Sequence, residues 1–406
     1  MTINDVRQEF PALKQQVFLD SACVSLPPQC AVEKVRAFLD MAALCPSDSA
    51  TEQHLDMDAL RSAARPPVAK LINARESDIA LMESTSQGLN LVANAIPLTR
   101  GDRVVLCDLE FLGAALPWVQ KRHELGIEID TVPNRNGQVL VDDIAAAITP
   151  ATRVVAISSV QWSNGFRCDL DALSQPCRAR GVFLVVDAIQ QIGAIPLDVQ
   201  KTPVDALACG GHKWLLAPFG CGFLYLSPEF RARVKAPLAG YLSVVEPEGG
   251  WDRYFASPSI TPVRDYDFVD DARRWETGGT ANYPGAIALA ESVSLLNEIG
   301  IETIAGHVLG LTDYLIDSLH GEGVEVVTPL ERRYRSGIVT FSVGSVDDNE
   351  ALINFLRRHK VLVSLRYTSG VGGVRVACHV FNNRQDIDRL TELTAQFVHG
   401  RAKATA

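Results

Sequence analysis

Two patterns of hydrophobic and polar positions divide this chain. Through the middle, short apolar runs fall near Ile79–Met82, Arg103–Cys107, Ile127–Thr131, Arg153–Ser159, Val182–Val186, Asp205–Cys209 and Gly222–Leu226. Several are apolar on successive residues, as in Val182-Phe183-Leu184-Val185-Val186. A strand with that composition is buried on both faces, as in a parallel sheet flanked by helices. Helix-compatible stretches such as Gly88–Ala95 and Asp169–Arg180 lie between the runs, and this alternation predicts an open α/β sheet.

After about residue 240 the pattern changes. Residues 243–279 are rich in Pro, Gly, Asp and aromatic side chains without a period, which predicts a long loop or lid over a site. Helices are then expected at Gly285–Ile299 and His307–Leu319. Strands follow at Gly337–Ser342, Val361–Leu365 and Val374–Val380, with a last helix at Arg384–His399 that Asn382 or Asn383 caps. The expected division is an arm at 1–20 packing on a small domain, a large domain at 21–275 and a small α+β domain at 276–406.

Composition narrows the function. The chain has 406 residues and a net charge of −10, without a basic run or basic-aromatic stripe. Nucleic acid and anionic membranes reward clustered Lys and Arg, so neither is expected as a partner. Nine cysteines form no CxxC pair, which argues against a disulfide framework or a zinc site and fits a reducing cytoplasm. No apolar stretch is long enough for a spanning helix.

The candidate chemistry centres on Val185-Val186-Asp187-Ala188-Ile189-Gln190 and Gly210-Gly211-His212-Lys213-Trp214. Asp187 directly follows an apolar strand, at the carboxyl end of the sheet where open α/β folds bind ligands. Lys213 follows another short strand, where shielding from water lowers an amine's pKa and frees it as a nucleophile. An Asp and a Lys so placed suit pyridoxal phosphate: Lys forms a Schiff base with the aldehyde, and Asp keeps the pyridine nitrogen protonated. Taken alone, Asp187 equally suits a helix cap and Lys213 a surface amine.

These residues sit among further motifs. Phe18-Leu19-Asp20-Ser21-Ala22 with Ser25-Leu26-Pro27-Pro28, Glu83-Ser84-Thr85-Ser86-Gln87-Gly88-Leu89-Asn90, Arg274–Thr280 and Val374-Arg375-Val376 occur in order with the two stretches above. In that order and spacing, from about Phe18 to Leu390, the chain resembles the class V aminotransferase family of fold-type I pyridoxal phosphate enzymes. This is the group that holds cysteine desulfurases and isopenicillin N epimerase. The resemblance implies a large domain with a mostly parallel seven-stranded sheet, a smaller C-terminal domain, pyridoxal 5'-phosphate as cofactor and an amino-acid substrate.

It also implies roles. Thr85 and Ser86, ahead of a helix expected near Gly88, hold the phosphate. Phe111 takes the place of the aromatic that stacks on the cofactor ring, without the proton-transfer group of a His. Asn164 and Gln190 hydrogen-bond ring substituents, and His212 reaches toward the phosphate. Thr280 contacts the phosphate of the neighbouring subunit's cofactor, which makes the site that of a homodimer. Arg375 binds the substrate's α-carboxylate bidentately, with Arg366 a second cation nearby.

Departures from the family pattern matter for the outcome. The segment Arg366–Gly373, where desulfurases carry a nucleophilic Cys, has none, and Cys378 falls inside an apolar strand as a packed thiol. Gly210 stands where desulfurases often have Ser, and Ser21 replaces an Asn. An extra Gly in Glu276–Thr280 leaves Thr277 as an alternative to Thr280. These features place the chain nearer the epimerase-like branch and make a persulfide-forming desulfurase the alternative. From a common proton abstraction at Cα by Lys213, epimerisation, β-elimination and transamination all remain open. A non-catalytic sensor of the same fold is the rival from another class. A nicotinamide enzyme is disfavoured, because Ser84–Asn90 is not a G-x-G-x-x-G turn.

Overall fold

The computed structural model describes residues 1–3, 5–277, 280–319 and 323–405. Its main sheet has seven strands: β2 (Ile79–Met82), β3 (Arg103–Cys107), β4 (Glu128–Val132), β5 (Thr152–Ser158), β6 (Phe183–Asp187), β7 (Ala206–Gly210) and β8 (Gly222–Leu226). They lie in the order β2-β8-β7-β6-β5-β3-β4. Pairing is parallel from β4 through β7, and β8 runs antiparallel to both neighbours. Every residue of β2, β6, β7 and β8 is buried, so the continuous apolar runs mark strands covered on both faces.

Helices hold this sheet by close approach. The helix Thr85–Ala95 buries Leu89, Val92 and Ala93 on one stripe. Gly88 lets its backbone touch the sheet, since a Cβ there would lie 3.1 Å from Ala208 Cβ. Ser84 caps it by accepting from Gln87 N. The helix therefore starts three residues before Gly88, because the cap rather than the glycine fixes the entry.

A second sheet is antiparallel, in the order β12 (Ser364–Thr368), β13 (Val371–Ala377), β10 (Ile338–Ser342) and β9 (Glu325–Val326). The expected strand at Val361–Leu365 is split into β11 (Val361–Leu362) and β12. β11 pairs in parallel with β1 (Val17–Phe18), which ties the N-terminal segment to the C-terminal part. The final helix spans Arg384–Thr405, and Asn383 Oδ1 accepts from Asp386 N at its start.

The expected boundary at residue 276 does not separate packing. The helix Tyr283–Ile299 lies against Gln29–Leu44 and Arg65–Leu71 rather than against the small sheet. Residues 243–279, read as aperiodic, contain a short helix at Gly250–Phe255 and a 3-10 turn at Ala272–Trp275. Among the described residues no helix is long and apolar enough to cross a membrane.

Candidate active site

Strands β5, β6 and β7 end together at one edge of the sheet. Asp187 is the last residue of β6 and sits in register with Ser158 and Ala208. Just beyond β7, Lys213 enters a cavity of about 370 Å³ that Asp187, Thr85, Ser86, Phe111, Gln190, His212, Arg366 and Arg375 also line. Sequence reasoning thus placed most of its candidates at one point. A larger cleft of about 660 Å³, bordered by Asp78, Asp205 and Tyr225, opens at the opposite strand ends and holds none of them.

Burial sets the electrostatics. It pushes the Asp187 carboxyl up to about 6; a hydrogen bond from Ile189 N (3.0 Å) and the nearby Lys213 charge pull the other way. Burial brings the Lys213 amine down to about 8, against the attraction of Asp187 and with the help of Arg375. The His212 ring is lowered to about 4 by desolvation, then by Lys213, so it is neutral near pH 7. It stacks on Phe219 with centroids 5.0 Å apart.

Thr85 is the first residue of its helix, not part of a preceding turn. Its Oγ1 accepts from Gly210 N at 2.8 Å. A Cβ at position 210 would lie 3.0 Å from that hydroxyl, so glycine permits the end of β7 to meet the helix start. Ser86 follows in the first turn, where backbone N–H groups suit an anion. Phe111 is 43% exposed, with its ring centre 5.8 Å from Lys213 Nζ.

The two arginines differ. Arg375, in β13, is 1% exposed and gives Nη1 to Trp162 O (2.9 Å) and Nη2 to Asp20 Oδ1 (3.2 Å), while its Nε has no partner among the described residues. Arg366 donates to Leu365 O (2.8 Å) and Cys23 Sγ (3.4 Å), with no carboxylate in reach among the described residues.

Three expectations change. Asn164 is fully buried but does not line the cavity; its amide gives Nδ2 to Gly137 O (2.7 Å) and accepts from Phe166 N (3.1 Å). Gln190 lines the cavity, yet its Nε2 donates to Ala22 O and its Oε1 accepts from Trp214 Nε1, so both ends are committed to the protein. Thr280 is exposed and lies outside the cavity of its own chain; Gly278 and Gly279 of that motif are outside the described residues. The alternative Thr277 accepts from Gln87 Nε2 at 3.3 Å and also lies outside that cavity.

Six residues that line the cavity were not among the candidates, and two of them, Trp162 and Cys23, carry polar atoms toward the site's other groups. Trp162 lines it, with Nε1 buried and unpartnered among the described residues. Cys23 lies beside Arg366. Trp162 was visible as a neighbour of Asn164, but nothing in the pattern said which of the two faces inward.

The segment Arg366–Gly373 is a hairpin between β12 and β13. Its turn is Ser369-Gly370, both with positive φ (47° and 77°), as a two-residue type I′ turn requires. Cys378 is fully buried, as expected of a packed thiol.

The donor set fits pyridoxal phosphate. A buried carboxylate suits a ring N–H, the low-pKa amine an aldehyde, and the Thr85–Ser86 helix start a phosphate, and an orphaned indole N–H is left for a polar ring substituent. The family model for aminotransferase class-V matches residues 17–390. The chain belongs to that family, whose enzymes depend on pyridoxal 5'-phosphate.

Relatives match along most of the chain. A probable cysteine desulfurase of Methanothermobacter thermautotrophicus is 28% identical, over 97% of both chains. An uncharacterised aminotransferase of Bacillus subtilis is 27% identical over 83% of this chain and 84% of its own. The apo cysteine desulfurase of Thermococcus onnurineus superposes with a TM-score of 0.84 at 24% identity, covering 98% of this chain and 99% of that one. The first of these names falls on the desulfurase side of the resemblance rather than the epimerase side, and the solved structure shows the shared fold.

Proposed function

We propose that the cavity at Lys213 removes the α-proton of an amino acid, with β-elimination of a sulfur substituent as the outcome to test first. The observation that carries the reading is a buried Asp187 in one cavity with a largely enclosed Lys213 amine of lowered pKa, beside two arginines. The desulfurase names of full-length relatives support sulfur chemistry. The tight Ser369-Gly370 turn leaves no cysteine-bearing loop, so sulfur is proposed to leave as sulfide rather than through a loop persulfide. That missing loop also favours a second reading, epimerisation.

When bound, pyridoxal phosphate supplies an aldehyde for the amine and a ring that withdraws electrons from Cα. Arg375 Nε, together with Arg366, receives the substrate carboxylate; Asp20 and the Trp162 carbonyl hold the Arg375 guanidinium in place. Lys213, neutral in part at physiological pH, takes the proton from Cα. Asp187, with its carboxyl at about 6, would be ionised at neutral pH and would favour a protonated ring nitrogen. Thr85 and Ser86, at the helix start, would hold the phosphate, and Phe111 would offer an apolar face to the ring.

A homodimer is part of this proposal, with Thr280 reaching the partner's cofactor; its exposure and its place outside its own cavity are what that requires. A cytoplasmic location suits nine free cysteines. The test is an amino-acid panel followed for sulfide, ammonia, keto acid and optical rotation, with Lys213→Ala as the control. Retained turnover in Lys213→Ala, or no reaction with any amino acid, overturns the reading.

A further inference from the structure

Glu110 does not line the cavity, yet it grips the two segments that give the cavity its rings. It stands between the end of β3 and Phe111. Its Oε1 accepts from Ser158 N (2.9 Å), Gln161 Nε2 (3.2 Å) and Cys107 Sγ (3.2 Å), and its Oε2 accepts from the Ser158 hydroxyl. Ser158 ends β5 and is in register with Asp187. Gln161 directly precedes Trp162, whose ring meets Phe111 edge to face at 5.4 Å. One carboxylate therefore ties the end of β3 to the end of β5, behind both rings.

The donors match an ionised carboxylate, which only accepts. Part of the residue reaches solvent, but its carboxylate is enclosed deeply enough that burial pushes its pKa up, with the Ser158 donors opposing. Among the described residues no Lys or Arg pairs with it. An enclosed carboxylate without a counter-cation is costly, so a role in holding geometry accounts for its presence better than general stability does.

We propose that Glu110 is a positioning residue that fixes Phe111 and Trp162 as a rigid wall beside Lys213 and so sets the seat of a planar ring. This rests on the reading that the cavity takes pyridoxal phosphate. Reach and charge separate its possible roles. Glu110→Gln keeps a carbonyl oxygen for Ser158 N and Gln161 Nε2, and the Ser158 hydroxyl turns to accept from the new amide. Glu110→Asp keeps the charge but is one methylene too short to reach Ser158 N.

The test measures pyridoxal 5'-phosphate dissociation constants, visible circular dichroism of the bound cofactor and Tm for the three proteins. Glu110→Gln is expected within about threefold of wild type with an unchanged dichroism band, and Glu110→Asp to bind on the order of tenfold more weakly with an altered band. An aspartate variant that behaves like wild type overturns the proposal. So does a glutamine variant as impaired as the aspartate one, since charge would then be what matters. Lower Tm in both variants with unchanged affinity and dichroism would reduce Glu110 to ordinary stability. Wild-type protein that takes up no cofactor overturns the cofactor reading and this proposal with it.

Discussion

The most direct consequence of the site's burial is a reactive amine. An ordinary lysine, with a pKa of 10.5, is neutral at pH 7.5 in about one molecule in a thousand; at about 8, Lys213 is neutral in about a quarter. Its reactive fraction is thus raised ~200-fold at that pH. Two perturbations shift it in opposite directions. Asp187 stabilises the charged amine, so Asp187→Asn moves the midpoint down. Arg375 repels it, so Arg375→Ala moves the midpoint up. After removal of cofactor, a short pulse of acetic anhydride between pH 6 and 11, read by mass spectrometry at Lys213, gives the midpoint for each protein. A wild-type midpoint above pH 10, or a shift of both variants in one direction, would refute the electrostatic account.

Other outcomes follow from neighbouring contacts. Arg375→Ala should raise KM for amino acids by about tenfold or more with a smaller change in kcat, measured by steady-state kinetics. Glu276 accepts from Arg65 Nη2 (2.7 Å) and Leu81 N (2.9 Å) and pairs with Arg61 Nη1 (2.8 Å), so Glu276→Ala leaves the half-buried Arg65 without its carboxylate and the buried Arg61 with only Asp58, 3.9 Å away. The expected cost is about 3–5 kcal/mol, seen as a lower urea midpoint. His379 is fully buried, with Nε2 donating to Trp214 O and Nδ1 accepting from Val380 N, so both ring nitrogens suit the neutral form. Burial lowers its pKa from 6.5 to about 3, and the unfolded chain takes up the proton first. Its contribution to stability is therefore complete above pH 6.5 and drains as pH falls toward 3. His379→Asn should flatten the difference between urea melts at pH 7.5 and pH 5, and an unchanged difference would count against this.

The chain order of apolar runs was enough to place the sheet. Val182–Val186 predicts a two-face strand, and β6 is Phe183–Asp187, buried throughout. Local composition carries that information because a strand covered on both faces needs apolar side chains at every position. Asp187 was legible for the same reason, as the polar residue immediately after such a run, and Lys213 as the amine that follows the next run after Gly210-Gly211-His212.

What the tertiary structure decided is which groups meet. Asn164 spends its amide on Gly137 and Phe166 while Trp162, two residues earlier, faces the cavity. Arg375 is steadied by Asp20, which precedes it by 355 positions, and β1 joins β11 across most of the chain. Periodicity reports how much of a side chain is buried; it carries no record of the partner, which long-range packing alone selects.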